Sequence, residues 1–192
     1  ASIAVMWGSL GLVGPIAVLT TYQNQDIGQQ LLKATEGFFD ENNAPLRGLS
    51  TYPQSPKHLL FYQKFGYKPK GLVAITSKEL DRREIVQETK ASKPVIQTRR
   101  YSALEEAKKK AMMQRFRTIT NQVYRGMEIG KEVEIVDGLA LGDTLLLEKG
   151  RDLVGFAIYH TPGVSEAPQG ALYVKFLVLD PRRKKPEYFH QL

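Results

Sequence analysis

The sequence predicts an α/β fold in which short strands alternate with amphipathic helices. Its 192 residues, of which 42% are hydrophobic, can bury a substantial core in one domain or in two small ones. The most informative segment is 12–32, where an apolar run of strand length stops at Thr20, crosses a polar loop and enters a helix-period pattern. A second helix with clear end signals follows it, and the last third of the chain contains three strand-like runs.

The first elements are two strands, predicted within residues 2–19 and separated between Gly8 and Gly11. Proline cannot donate a backbone hydrogen bond to a neighbouring strand. The second strand should therefore be distorted near Pro15.

The next elements are a helix over residues 27–40, which ends near Asn42 before Pro45, and a strand over 46–52. A right-handed crossover through the helix would make this strand parallel to the one before the helix. The first turn of the helix leaves backbone N–H groups without partners at the positive end of the helix dipole. Such an end favours an anion, for example a phosphate.

A short helix is predicted over residues 56–65. Ser55 is a good N-cap, Pro56 suits the first turn, and Gly66 suits the C-terminal cap. The apolar run at 72–76 predicts a strand after this helix.

The second half begins with polar, charged residues at 77–100, which are typical of a linker or an exposed connection. Segment 102–106 has a capping-box arrangement and is expected to open a long amphipathic helix. The apolar face of that helix consists of Leu104, Ala107, Ala111, Met112, Phe116, Ile119 and Val123. Strands are predicted over 143–148, 153–160 and 171–179.

Two motifs in the first half resemble those of a known family. Gln23-x-x-Asp26-x-Gly28 resembles the Gln/Arg-x-x-Gly-x-Gly/Ala loop with which the GNAT N-acetyltransferase superfamily holds the pyrophosphate of acetyl-CoA. The run Phe-Tyr-Gln-Lys-Phe-Gly-Tyr at 61–67 resembles the signature that ends the last helix of an acetyltransferase core. The resemblance implies an α+β, mostly antiparallel mixed sheet flanked by helices, with a parallel, splayed strand pair at the cofactor site.

The second half resembles the opening half of another acetyltransferase domain. The run Leu-Val-Gly-Phe-Ala at 153–157 matches a common strand pattern of the family, and 175–181 falls where the cofactor strand should be. Residues 182–187 contain no glycine, which departs from the family's phosphate loop.

The resemblances predict three segments. Residues 1–80 would be the closing half of an acetyltransferase-like domain, 81–100 a linker, and 101–192 the opening half of a second, degenerate domain. The chain would then be an excerpt of a tandem protein. Alternatively, it is a permuted unit in which strands 143–179 complete the sheet begun by residues 12–76.

The resemblance also implies roles for particular residues. The backbone around Ile16 and Val18 would pair with the pantetheine arm of acetyl-CoA and polarise its thioester, and the loop after it would hold the pyrophosphate. Tyr62 would be the general acid that protonates the CoA sulfur, since a phenol keeps its proton at neutral pH. The implied cofactor-binding residues are Ile16, Ala17, Val18, Gln23, Asn24, Gln25, Asp26, Ile27, Gly28, Gln29 and Ser55. No general base is identifiable.

The predicted function is direct transfer of acetyl from acetyl-CoA to a primary amine, without a metal. Asp26 stands where the family has its first glycine, and its carboxylate repels phosphate. The alternative is therefore a catalytically silent acyl-CoA-binding or regulatory module. His58, His160 and His190 have no metal-ligand spacing, and Trp7 is interpreted as a core residue.

Composition sets broader limits. With no cysteine the chain has no disulfide and no thiolate metal site, and the apolar runs are too short for a membrane span, so we expect a cytoplasmic protein. The Lys and Arg residues behind the net charge of +7 are scattered except for runs at 108–110 and 182–185, and neither run is interleaved with aromatic residues, which does not favour a nucleic-acid partner. A sheet left incomplete would expose an edge, which would favour pairing with a second copy.

Overall fold

The computed structural model describes residues 1–72, 76–80, 96–163, 165–183, 185 and 188. They form two compact units. One comprises Ala1–Met6 with Leu10–Lys93, and the other comprises Trp7–Ser9 with Pro94–Leu192.

The described elements are seven strands and four α-helices. The strands are β1 (Ser2–Trp7), β2 (Leu10–Ile16), β3 (Leu46–Leu49), β4 (Gln97–Arg100), β5 (Gly142–Lys149), β6 (Asp152–His160) and β7 (Tyr173–Leu179). The helices are α1 (Ile27–Glu41), α2 (Pro56–Gln63), α3 (Glu106–Val123) and α4 (Gly130–Gly138). A one-turn 3₁₀ helix, Thr20–Tyr22, precedes α1. The predicted α/β fold is confirmed.

The first unit is built on a three-stranded sheet in the order β1-β2-β3. Strands β2 and β3 run parallel, and their register extends from Leu10↔Leu46 to Val13↔Leu49. The expected crossover through α1 is therefore confirmed. Strand β3 is shorter than the predicted 46–52, and β2 continues through Pro15 as one strand although its pairing with β3 stops before that residue.

Helix α1 covers this sheet with its apolar side. Leu32 and Phe39 are fully buried and pack with Val13 of β2. Arg47 of β3 donates to Glu36 of α1 at 2.6 Å and also pairs with Asp40. Charge pairing therefore adds to hydrophobic burial in joining α1 to β3.

Helix α2 begins as the sequence predicts. The Ser55 hydroxyl accepts a hydrogen bond from the His58 N–H at 3.4 Å, and Pro56 occupies the first turn. Gly66 follows the helix with φ +84°, a conformation that suits glycine. None of the α2 residues is fully buried, so partly buried aromatic side chains hold this helix on the unit. A strand was predicted over 72–76, and its central residues 73–75 lie outside the described part of the chain.

The second unit contains an antiparallel sheet in the order β4-β5-β6-β7. Helices α3 and α4 pack on it through a buried core. The largest of its fully buried side chains are Phe116, Phe156, Ile129, Leu146 and Ile158. The predicted strands 143–148 and 153–160 are confirmed, and the third begins at Tyr173 rather than at residue 171.

Two expectations for the second half were wrong. Ser102 does not cap α3, because its hydroxyl and N–H donate to the Asp143 carboxylate at 2.5 and 3.1 Å. The helix starts at Glu106, after an N-cap residue whose side chain makes no capping bond. The stretch 77–100 was expected to be a linker or an exposed connection, but its last four residues form β4, which pairs with β5.

The turn at Gly8 provides a test of packing in the second unit. Gly8 has φ +66°, and a Cβ there would lie 2.1 Å from the Gly126 carbonyl oxygen. We expect Gly8→Ala to lower the free energy of unfolding by about 2 kcal/mol, because strain and overlap add. Urea titration followed by tryptophan fluorescence measures this directly, since the single tryptophan is the adjacent Trp7.

Gly37→Ala is the matched control. Gly37 lies inside α1, and an added methyl group there would have no other atom within 4 Å, so alanine should stabilise the helix by about 0.5–1 kcal/mol. Equal effects of the two substitutions on stability would contradict the packing at Gly8.

Candidate active site

The candidate site begins where β2 loses its parallel partner. The last paired residue is Val13, and β2 continues to Ile16. On the other side of the strand, Ala17 exchanges both backbone hydrogen bonds with Ala1, at 2.8 and 2.9 Å. Because successive strand residues point their backbone groups to opposite sides, those of Ile16, the last residue of β2, point to the β3 side.

The chain then turns into α1 through two residues with left-handed backbones. Asn24 has φ 61° and Asp26 has φ 58°. Gln23 steadies the turn, since its side-chain amide donates to the Val18 carbonyl at 3.1 Å. The backbone N–H groups of residues 24–29 find no hydrogen-bond acceptor within the described part of the chain. The predicted loop therefore presents a row of free donors at a helix N-terminus.

The polar side chains of this loop interact with one another. The Gln29 side-chain amide donates to the Asp26 carboxylate, and Gln25 donates to the Thr21 carbonyl at 3.4 Å. Asp26 is the N-cap residue, but its side chain makes no capping hydrogen bond. Its carboxylate thus leaves the donors of the first turn unoccupied while adding a negative charge beside them.

Three elements meet beside Gly28. A methyl group added there would lie 3.7 Å from Cζ of Phe61 and 4.0 Å from Cγ2 of Val18. The end of β2, the first turn of α1 and helix α2 therefore converge at this point. Phe61 was not among the predicted site residues, although it opens the aromatic motif at 61–67.

Tyr62 is half-buried in the same apolar cluster as Ile16 and Phe61. Its ring lies 5.1 Å from that of Phe61 in an edge-to-face arrangement. Burial raises the pKa of Tyr62 above its ordinary value, so its phenol is protonated at neutral pH. Its hydroxyl has no hydrogen-bond partner among the described residues and is therefore free to donate to a ligand.

Ser55 lies at the start of α2, where its hydroxyl is engaged in capping the helix. The hydroxyl accepts in this bond, so it keeps its own proton to donate to a cofactor. The backbone groups of Ala17 are likewise engaged, with Ala1.

A strand end that faces the free N-terminus of a helix across a short loop is the arrangement of an anion-binding α/β domain. Residues 2–69 match the family model described as the acetyltransferase (GNAT) domain. This match identifies a GNAT acetyltransferase domain in residues 2–69, and the resemblance carried by the two motifs is confirmed. The match ends at residue 69, so the resemblance of the second half stays a prediction. No curated protein matches the chain.

The second unit contains a buried polar cluster of its own. Lys175 donates to Glu132 at 2.8 Å and to Glu166 at 2.9 Å, and the Trp7 indole N–H donates to Glu132 at 3.4 Å. His160 is 2% exposed, and neither ring nitrogen has a hydrogen-bond partner among the described residues, since Nε2 lies 3.9 Å from the Glu132 carboxylate. Trp7 also packs edge-to-face on Phe176, which agrees with its interpretation as a packed residue.

The described histidine and carboxylate side chains are dispersed. Across the ranges that the structure covers, they form no group of three that could hold a metal ion. Among these same residues, no helix combines the length and apolar character needed to cross a membrane.

We expect the second unit to lose stability in mild acid because of His160. Burial lowers the pKa of His160, and the positive charge of Lys175 lowers it further, against smaller opposing effects of Glu166 and Glu132. The stabilisation is complete above the unfolded-state pKa of about 6.5 and is lost as pH falls through the lower folded-state value. Urea unfolding followed by Trp7 fluorescence from pH 7.5 to 5 measures this loss.

His160→Gln is the comparison, because glutamine is polar and does not titrate. Its stability should change less with pH over this range than that of the parent protein. Parallel pH profiles for the two proteins would contradict the role of His160.

Proposed function

We propose that the first unit binds acetyl-CoA and transfers its acetyl group directly to a primary amine. The observation that carries this proposal is the row of unpaired N–H groups at residues 24–29, which follows the end of β2. Unpaired donors and the helix dipole together favour a diphosphate. Membership of residues 2–69 in an acetyltransferase family supports the same choice of ligand.

The proposed cofactor path runs from α1 to β2. The diphosphate would lie on the backbone of Gln23, Asn24, Gln25, Asp26, Ile27 and Gly28, with Gln29 reaching it from the first helical turn. The pantetheine arm would follow the unpaired side of β2 and hydrogen-bond with Ile16 and Val18. Gly28 lies beside this path, since a Cβ there would make ordinary contact with Phe61 and Val18.

The proposed reaction needs a neutral amine as nucleophile, a hydrogen-bond donor for the carbonyl oxygen and an acid that protonates the departing sulfur. The neutral amine attacks the thioester carbon, forming a C–N bond, while the carbonyl oxygen takes negative charge near the Val18 N–H. When the C–S bond breaks, the sulfur leaves with the electron pair, and Tyr62 donates its proton to it. The amine nitrogen gives its extra proton to solvent, and Tyr62 is later reprotonated.

The alternative is a silent acyl-CoA-binding module. The observation that favours it is the Asp26 carboxylate beside the proposed diphosphate site. Binding of CoA without thiol release from acetyl-CoA, across a panel of primary amines, would select this alternative over the enzyme.

A cytoplasmic location and self-association also stay proposals. β7 is an edge strand with exposed Tyr173 and Val174, which favours pairing of two copies through this edge. Sedimentation at micromolar concentration tests it, and a monomer would contradict it.

Replacing Tyr62 tests the enzymatic proposal. We expect Tyr62→Phe to lower kcat by about 10²-fold, since general acid catalysis contributes at least this much, and to leave the KM for acetyl-CoA nearly unchanged. Thiol release measured at saturating amine reports both constants. Tyr52→Phe is the matched control, because Tyr52 is an exposed tyrosine of the same unit. An unchanged kcat in Tyr62→Phe would remove Tyr62 from the mechanism.

Replacing Asp26 tests the position of the diphosphate. Asp26→Asn keeps the size of the side chain but removes its charge, so we expect the Kd for CoA to fall about fivefold at low salt. The gain should shrink in 0.5 M NaCl because salt screens exposed charges. Calorimetry measures both values.

Glu41→Gln is the control for net charge. It makes the same change at the last residue of α1 and should leave the affinity for CoA unaltered. Equal effects of the two substitutions would place the diphosphate elsewhere.

A further inference from the structure

We propose that Tyr67 is a positioning residue for Tyr62 and that Glu36 and Arg47 hold it in place. This inference rests on the proposed catalytic role of Tyr62. It assigns a function to Tyr67, the aromatic residue that follows Gly66.

Tyr67 is anchored by its hydroxyl. The hydroxyl donates to one oxygen of Glu36 in α1, and the other oxygen of Glu36 accepts from Arg47 of β3 at 2.6 Å. Arg47 is fixed in turn by Asp40 and by the Ala44 carbonyl, to which its Nε donates at 3.1 Å. Through these hydrogen bonds Tyr67 is attached to both α1 and β3.

The pKa of Tyr67 is raised by burial and by its hydrogen bond to Glu36. The phenol is therefore a proton donor at every physiological pH.

Tyr67 is connected to Tyr62 by backbone and by ring. Its N–H donates to the Tyr62 carbonyl at 3.3 Å, and the two rings lie 6.2 Å apart at 72°. The positive φ of Gly66 returns the chain so that both contacts form together. The last turn of α2 is thus attached to α1 and β3 through Tyr67.

This attachment matters because α2 has little else to hold it. None of its eight residues is fully buried, and its contacts with the core come from half-buried aromatic side chains. A helix of this length is not stable alone. Without the anchor, the Tyr62 hydroxyl would move over a wider range, and small displacements of a reacting group reduce the rate strongly.

The test combines two substitutions. Tyr67→Phe keeps the ring but removes the hydroxyl, and we expect about a tenfold lower kcat with the KM for acetyl-CoA changed less than twofold. In the Tyr62→Phe background the same substitution should cause no further loss, because the group it positions is gone. Glu36→Gln leaves one acceptor oxygen where the carboxylate serves both Tyr67 and Arg47, so it should also lower kcat, and again without further loss in the Tyr62→Phe background.

A second readout does not depend on turnover. In protein labelled with ¹³C-tyrosine, the Tyr62 ring signal should broaden or shift in Tyr67→Phe and stay unchanged in Tyr52→Phe. Equal losses of kcat in both backgrounds, or an unchanged Tyr62 signal, would overturn the positioning role. An inactive parent protein whose Tyr62 signal still responds would instead overturn the proposed function and leave the anchor in place.

Discussion

The first unit depends on one backbone constraint: the parallel pairing of β2 with β3 ends before β2 does. Beyond Val13 the strand keeps its partner on one side only, so the backbone groups of Ile16 and the N–H of Val18 have no partner among the described residues, whereas the Val18 carbonyl accepts from the Gln23 side chain. The left-handed residues Asn24 and Asp26 then turn the chain into α1 without using the donors of its first turn. Free backbone N–H groups therefore occur both at the end of β2 and in the first turn of α1, the next helix along the chain.

This constraint is maintained by packing away from the site. Leu32 and Phe39 bury α1 on the sheet, and the Arg47 ion pairs hold α1 to β3. The Tyr67 hydroxyl extends the same ion-pair group to α2. Separate forces thus fix the two ends of the candidate site. Hydrophobic burial and strand pairing fix the loop at residues 24–29, and a charge-assisted hydrogen bond fixes the aromatic residues of α2.

The elements of the first unit were predictable because their signals are local. The start of α1 after a polar loop and the Ser55 cap depend on residues within one turn of each other. Contacts between distant residues were not predictable. Ser102 has the local pattern of a capping box, yet Asp143 takes its hydrogen bonds, and the Tyr67 hydroxyl meets a carboxylate 31 residues away. In the same way, β4 looks like a polar linker because all four of its residues are exposed, and only its pairing with β5 makes it a strand.

The central claim is that the backbone donors of residues 24–29 bind the diphosphate of CoA. An amide-resolved NMR titration with CoA tests this most directly, because it reports each N–H separately. We expect the largest shifts at these amides and at Val18, and small shifts in the second unit. Saturation with CoA that leaves the amides of residues 24–29 unshifted would contradict the claim.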